Sequence, residues 1–152
     1  MGFYQNQIVP LLINLTMRRR DLAAYRSRVV PAAGGRVLEI GIGSGLNLPL
    51  YSRNVEYLIG LDPSAKLLSM VRRNLRPDTP SLELIEGSAE AIPLETHSID
   101  TVVTTWTLCS IPDAALAVRE GSLHGSNPEL PMSALGQKQT FGHVRAISLY
   151  PQ

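Results

Sequence analysis

The sequence predicts an α/β domain built on a doubly wound parallel sheet, and three observations carry that reading. Short aliphatic and β-branched runs recur between Arg36 and Trp106, helical patterns separate them, and glycines or acids punctuate their ends. Strands that alternate with helices build parallel sheets, whose ligands bind beyond the carboxyl ends of the strands.

Taken in order, an N-terminal helical region runs to Gly34 and Gly35, which close it. "RVLEI" (Arg36–Ile40) then reads as a buried strand. "YLIGLD" (Tyr57–Asp62) is the second strand, and "PSAKLLSMVRRNLR" follows as a helix. Pro63 and Ser64 stand at its start, with Leu67, Leu68, Val71 and Leu75 at helical spacing. "LELIEG" (Leu82–Gly87) gives the third strand, "SIDTVVTTW" (Ser98–Trp106) the fourth, and "PDAALAVRE" (Pro112–Glu120) a further helix.

Size and charge narrow the function classes. The 152 residues suffice for one domain and fall short of two. A net charge of +1 argues against nucleic acid as an obligatory partner. The single cysteine, Cys109, excludes an internal disulfide framework and fits a reducing, cytoplasmic setting. It reads as a small buried hydrophobe rather than a nucleophile. His97, His124 and His143 are scattered, without the spacing of a metal site, so no metal is expected. Near the N-terminus, "IVPLLINLTMRRR" is interrupted by Pro10 and Asn14 and is too short to span a bilayer. It reads as an amphipathic helix covering the domain, with weak membrane-surface contact as the second reading. No obligatory protein partner is evident.

"VLEIGIGSGLNLPLY" (Val37–Tyr51) carries the chemistry. Gly41, Gly43 and Gly45 follow the first strand, and bare backbone there lets a ligand lie against N–H groups. A dinucleotide fingerprint, G-x-G-x-x-G, would need glycine where Leu46 stands. Glu39 beside the loop repels a pyrophosphate but suits a ligand that carries an ammonium and a sulfonium.

With "GLDPS", "EGSAEAIPL" and "IDTVVTTWTLCSIPD" in matching order, "LEIGIGSG" resembles motif I of the class I S-adenosylmethionine-dependent methyltransferases, type-11 group, which includes quinone- and lipid-modifying enzymes. The resemblance covers about residues 1–120 and implies a Rossmann-like sheet that binds S-adenosyl-L-methionine, together with a small-molecule or lipid-like methyl acceptor. Gly41, Gly43 and Gly45 would line the aminopropyl-carboxylate end of the cofactor. Glu39 would hold the loop or reach the amino group through water. Asp62 would accept both ribose hydroxyls, Pro63 would flank the adenine, and Ser88 and Ala89 would meet its edge. Thr105 and Trp106 would border the transfer site. Tyr4 has a counterpart near the cofactor carboxylate in some relatives, although packing is the plainer role. Glu90 reads as a surface helix acid, and no residue is assigned as a general base.

Blander readings stand beside these. The glycines can be a tight turn, Asp62 a helix cap and Trp106 plain core. The expected organisation is a methyltransferase domain over 1–120, with a cap helix in 1–33 and a core in 34–120. Residues 121–152 form an irregular tail not native to the family, in which only "HVRAISLY" alternates as a strand would. The family's fifth strand and antiparallel pair are expected to be missing. That would leave strand four as a bare, aggregation-prone edge and the chain marginally stable.

Overall fold

The computed structural model describes residues 20–105, Asp113, Leu116, Glu120, and the segments 139–141 and 144–149. Helix α1 (Arg20–Val29) leads through a short turn (Val30–Ala32) into β1 (Gly35–Ile40). There follow β2 (Val55–Asp62), α2 (Ala65–Arg73), β3 (Ser81–Glu86), β4 (Thr101–Thr105), β5 (Gln139–Phe141) and β6 (Val144–Leu149). Each predicted strand lies within a few residues of its observed position; β1, β2 and β4 are largely buried on both faces and leave an aliphatic signature in sequence, whereas β3 alternates exposed and half-buried residues.

The sheet order is β3-β2-β1-β4-β6-β5, parallel except for the β5–β6 pair. The chain steps outward from β1 to β3 and then returns to place β4 on the other side of β1. That reversal is the switch point at which α/β sheets open a ligand crevice. Val37, Leu58 and Val103 face one side, against Val29 of α1 and Leu68 and Val71 of α2. Leu38, Ile40, Ile59, Leu61 and Val102 face the other, under Ala89, Ile92 and Ile99 of the segment between β3 and β4.

Helix α2 starts where its sequence says it should: the Ser64 hydroxyl accepts from the Leu67 N–H at 3.4 Å. It stops sooner than predicted. Asn74 ends it by donating its N–H to the carbonyls of Met70 and Val71, so Leu75 lies beyond the helix and is 47% exposed. Of the predicted helix Pro112–Glu120, three residues are described. Leu116 and Glu120 are helical, and Asp113 Oδ1 accepts from the Leu116 N–H at 2.9 Å, as an N-cap does.

Two expectations about the C-terminal part need correction. The segment 121–152 is not irregular throughout, since it contributes β5 and β6. Nor is β4 a bare edge: Thr101, Val102, Val103, Thr104 and Thr105 pair in parallel with Arg145, Ala146, Ile147, Ser148 and Leu149. The alternating "VRAISL" supplies this pairing, and backbone groups on β4 that would otherwise be exposed gain partners. Tyr4, Trp106, Cys109, His124 and His143 lie outside the described residues. Among the described residues, no helix is long and apolar enough to cross a membrane.

Candidate cofactor site

The carboxyl ends of β1, β2, β3 and β4 bring the sequence-predicted residues that are described, all but Trp106, to one edge of the sheet. After β1 the chain turns through Gly41, Gly43 and Gly45, with φ of 74°, 58° and 81°. Side chains are disfavoured in this left-handed region. The glycines do different work. A methyl group at Gly43 would meet no described atom within 4 Å, so this position faces open space. One at Gly45 would press on Leu48 at 2.9 Å and Val71 at 3.3 Å, so bareness here lets the turn settle on the core. The Gly41 and Ile42 N–H groups both donate to the Leu61 carbonyl, at 2.8 and 3.1 Å, and fasten the loop to β2.

Asp62 closes β2 and faces this loop. Its Oδ2 accepts from the Gly43 N–H at 2.9 Å and its Oδ1 from the Ser64 N–H at 2.8 Å. Each oxygen keeps a further acceptor site, enough for a vicinal diol taken in bidentate fashion. Asp62 is 6% exposed, and burial raises its pKa, opposed by the bonds from Ser64 and Gly43.

Beneath the loop lies Glu39, 1% exposed. Asn47 Nδ2 donates to its Oε1 at 2.7 Å and the Tyr51 hydroxyl to its Oε2 at 2.8 Å. Asn47 Nδ2 also reaches Thr105 Oγ1 at 2.9 Å, tying the end of β1 to the end of β4. Burial raises the Glu39 pKa from 4.5 to about 7, assisted by Asp62 and resisted by Tyr51, Asn47 and Arg26. Burial and the Glu39 charge push Tyr51 well above its ordinary value, so it remains a neutral donor. Arg26 of α1, 6% exposed, supplies opposite charge; desolvation lowers its pKa and Glu39 raises it. Glu39 is thus bonded to the side chains of Asn47 and Tyr51, both in the stretch that follows the glycine turn.

The remaining predicted residues differ in their fit. Pro63 is exposed beside Asp62. Ser88 is exposed, and its hydroxyl accepts from the Glu90 N–H at 3.2 Å. Ala89 buries its side chain in the core, which leaves only its backbone for a ligand. Glu90 is not helical: its Oε1 accepts from the Asp113 N–H at 2.8 Å, linking the segments after β3 and β4. Sequence reasoning passed over Asn47, Tyr51 and Arg26. The one clue was that Asn47 and Tyr51 are polar residues in an otherwise apolar stretch that follows a buried acid.

Comparison with known proteins gives these features a setting. A family profile described as "Methyltransferase domain" matches residues 38–122, more than half of the chain. The chain is 36% identical over 104 residues to a phosphatidylethanolamine N-methyltransferase of Cereibacter sphaeroides, covering 67% of this chain and 49% of that protein. It is 32% identical over 93 residues to a ubiquinone biosynthesis O-methyltransferase of Paracidovorax citrulli, covering 60% and 39%. A SAM-dependent methyltransferase from Aquifex aeolicus superposes with a TM-score of 0.62 at 17% identity, covering 76% of this chain and 66% of that one, which establishes the shared fold. The chain spans about half the length of the first of these curated relatives, or less. Family and fold together imply S-adenosylmethionine as the cofactor. The residues present suit it, because open space at Gly43, two oxygens on Asp62 and a buried acid under the loop complement a cationic nucleoside with a free diol. The profile match over residues 38–122 and the 36% identity to the Cereibacter sphaeroides enzyme, on a sheet of this order with a glycine turn held by Asp62, place the chain in the methyltransferase-domain family.

Proposed function

We propose that this chain binds S-adenosylmethionine at the β1–β4 edge and serves methyl transfer to a small or lipid-like acceptor. The observation that carries the proposal is Asp62, which organises the glycine loop through Gly43 while keeping acceptor capacity for the ribose. Gly41, Gly43 and Gly45 give the aminopropyl-carboxylate arm a bare surface, and Glu39 keeps that surface in place. Pro63, Ser88 and the backbone of Ala89 border the adenine. Thr105, held by Asn47, borders the transfer site, and Trp106 is assigned beside it by resemblance alone.

When bound, the cofactor supplies an intrinsically electrophilic methyl group. The chain's task is to fix the orientation of donor and acceptor and to exclude water, and orientation is worth ~7–11 kcal/mol of barrier in favourable cases. Relatives named for phosphatidylethanolamine and for ubiquinone biosynthesis favour an acceptor with an apolar body. A cytoplasmic location is the reading that the single cysteine of the sequence fits. The methyltransferase core is assigned to 34–120, and β5 and β6 join its sheet from residues beyond the family match.

Calorimetry with S-adenosylmethionine, S-adenosylhomocysteine and NAD tests the cofactor, and a methyl-transfer assay on lipid and quinone extracts tests the reaction. Heat from the first two ligands and none from NAD is expected; the reverse overturns the proposal. Binding without transfer favours the second reading, a cofactor-binding fragment, which the half-length match to the relatives supports.

A further inference from the structure

The site holds a feature that binding alone does not require: a fully enclosed carboxyl group with both oxygens on neutral donors. We propose that capture of the cofactor expels a proton from Glu39, with Tyr51 and Asn47 as the positioning residues that govern how readily it leaves. This inference rests on the S-adenosylmethionine reading above.

Glu39 is met by polar or charged groups from several elements. From the loop, Asn47 Nδ2 at 2.7 Å and the Tyr51 hydroxyl at 2.8 Å solvate it. From β2, Asp62 bears negative charge toward it, and from α1, Arg26 bears positive charge. From β4, Thr105 Oγ1 accepts from Asn47 Nδ2 at 2.9 Å. Two neutral donors and Arg26 favour the carboxylate; enclosure and Asp62 favour the acid. These influences nearly balance at neutrality, with the group pushed up to about 7.

Such a balance is tipped by one further charge. Asp62 grips Gly43 at 2.9 Å and also acts electrostatically on Glu39. A cation seated at the loop beside Gly43 therefore lies within the range at which charge reaches Glu39. The ligand's ammonium and sulfonium together outweigh its single carboxylate, and this net positive charge favours the Glu39 carboxylate over the acid; the displaced proton passes to the buffer. By linkage, affinity falls wherever that proton must first be removed. Tyr51 stays protonated throughout, because burial and Glu39 hold its own pKa well above its ordinary value.

The test is titration of the full chain with S-adenosylmethionine from pH 6 to 8.5, in pairs of buffers of different ionisation enthalpy. The wild type is expected to release about half a proton per ligand near pH 7 and close to one at pH 6, with affinity falling up to tenfold per pH unit below that point. E39Q is expected to lack this release. The ligand's own amino group contributes equally to both proteins, so their difference isolates Glu39. In Y51F the carboxylate loses a donor, so the release shifts to higher pH and affinity falls more at pH 6.5 than at pH 8.5. A merely structural tyrosine would lower affinity equally at both.

Equal proton release by wild type and E39Q, or a pH-independent loss in Y51F, overturns this inference and leaves the cofactor assignment standing. Failure of the wild type to bind S-adenosylmethionine at any pH overturns both.

Discussion

Gly60 lies mid-strand in β2, opposite Glu39 on one side and Leu84 on the other. It governs the loop. A methyl group there would collide with Ile42 Cδ1 and stand 3.1 Å from both Ile42 Cγ2 and Leu84 Cδ2. Ile42 is 3% exposed and belongs to the loop itself: its N–H donates to Leu61 at 3.1 Å and its carbonyl accepts from Gly45 at 3.0 Å. Gly60→Ala must therefore displace the residue that seats Gly43. Overpacking of this kind costs about 1–3 kcal/mol, against a stability of roughly 5–15 kcal/mol for the whole domain. Ile42→Val removes the colliding methyl at a cost of about 0.5–1.5 kcal/mol by itself. In the double variant the two costs are expected to fall short of their sum by about 1 kcal/mol, as contacting residues do. Urea unfolding of the four proteins measures this coupling, and cofactor titration is expected to show affinity falling in Gly60→Ala and recovering in the double variant. Strictly additive stabilities, or a Gly60→Ala protein as stable as the wild type, would refute the reasoning.

Three other outcomes are expected. Because the folded-state pKa of Glu39 is raised from 4.5 to about 7, its contribution to stability is fully present below 4.5 and is lost as pH rises through about 7. That loss is about 3 kcal/mol in order of magnitude. Glu39→Gln, whose amide can accept from Asn47 and donate to the Tyr51 oxygen, is expected to gain on the wild type by that amount between pH 4.5 and pH 8 in denaturant titrations; parallel curves would show that Glu39 does not titrate there. Asp62→Asn gives up charge-assisted bonds, each worth about 1.5–3 kcal/mol, so S-adenosylmethionine affinity should fall by at least tenfold in calorimetry, and unchanged heats would remove Asp62 from the site. Deleting residues 139–152 strips β6 from β4 and is expected to turn the protein into a concentration-dependent aggregate in light scattering; a monodisperse product would show that another segment covers that edge.

What the sequence disclosed depended on locality. The β1 to β4 runs, the Ser64 helix start, the glycine turn after β1 and the strand-end Asp62 are each specified within a few residues, and each lies near its expected place. Asn47 and Tyr51 carry no such mark, because a polar residue in a turn looks alike whether it faces water or a buried acid. Arg26 was hidden by its own charge, which suggests solvent although the side chain is buried. Leu75 misled in the opposite sense: helical spacing placed it on the helix with Leu67, Leu68 and Val71, yet the helix ends at Arg73 and Leu75 is 47% exposed. The partner of β4 was illegible because parallel pairing has no sequence signature linking its two members.

The way β4 acquires that partner bears on how the molecule assembles. The sheet from β3 to β1 is joined by short connections, whereas Thr101 must find Arg145 across a much longer interval of chain. Closing so large a loop is slow and delays the gain from the contacts it brings. The glycine turn and Asp62 both lie on the early side of that divide, so ligand present during refolding should bind the nucleating half and speed the capture of the last parallel strand.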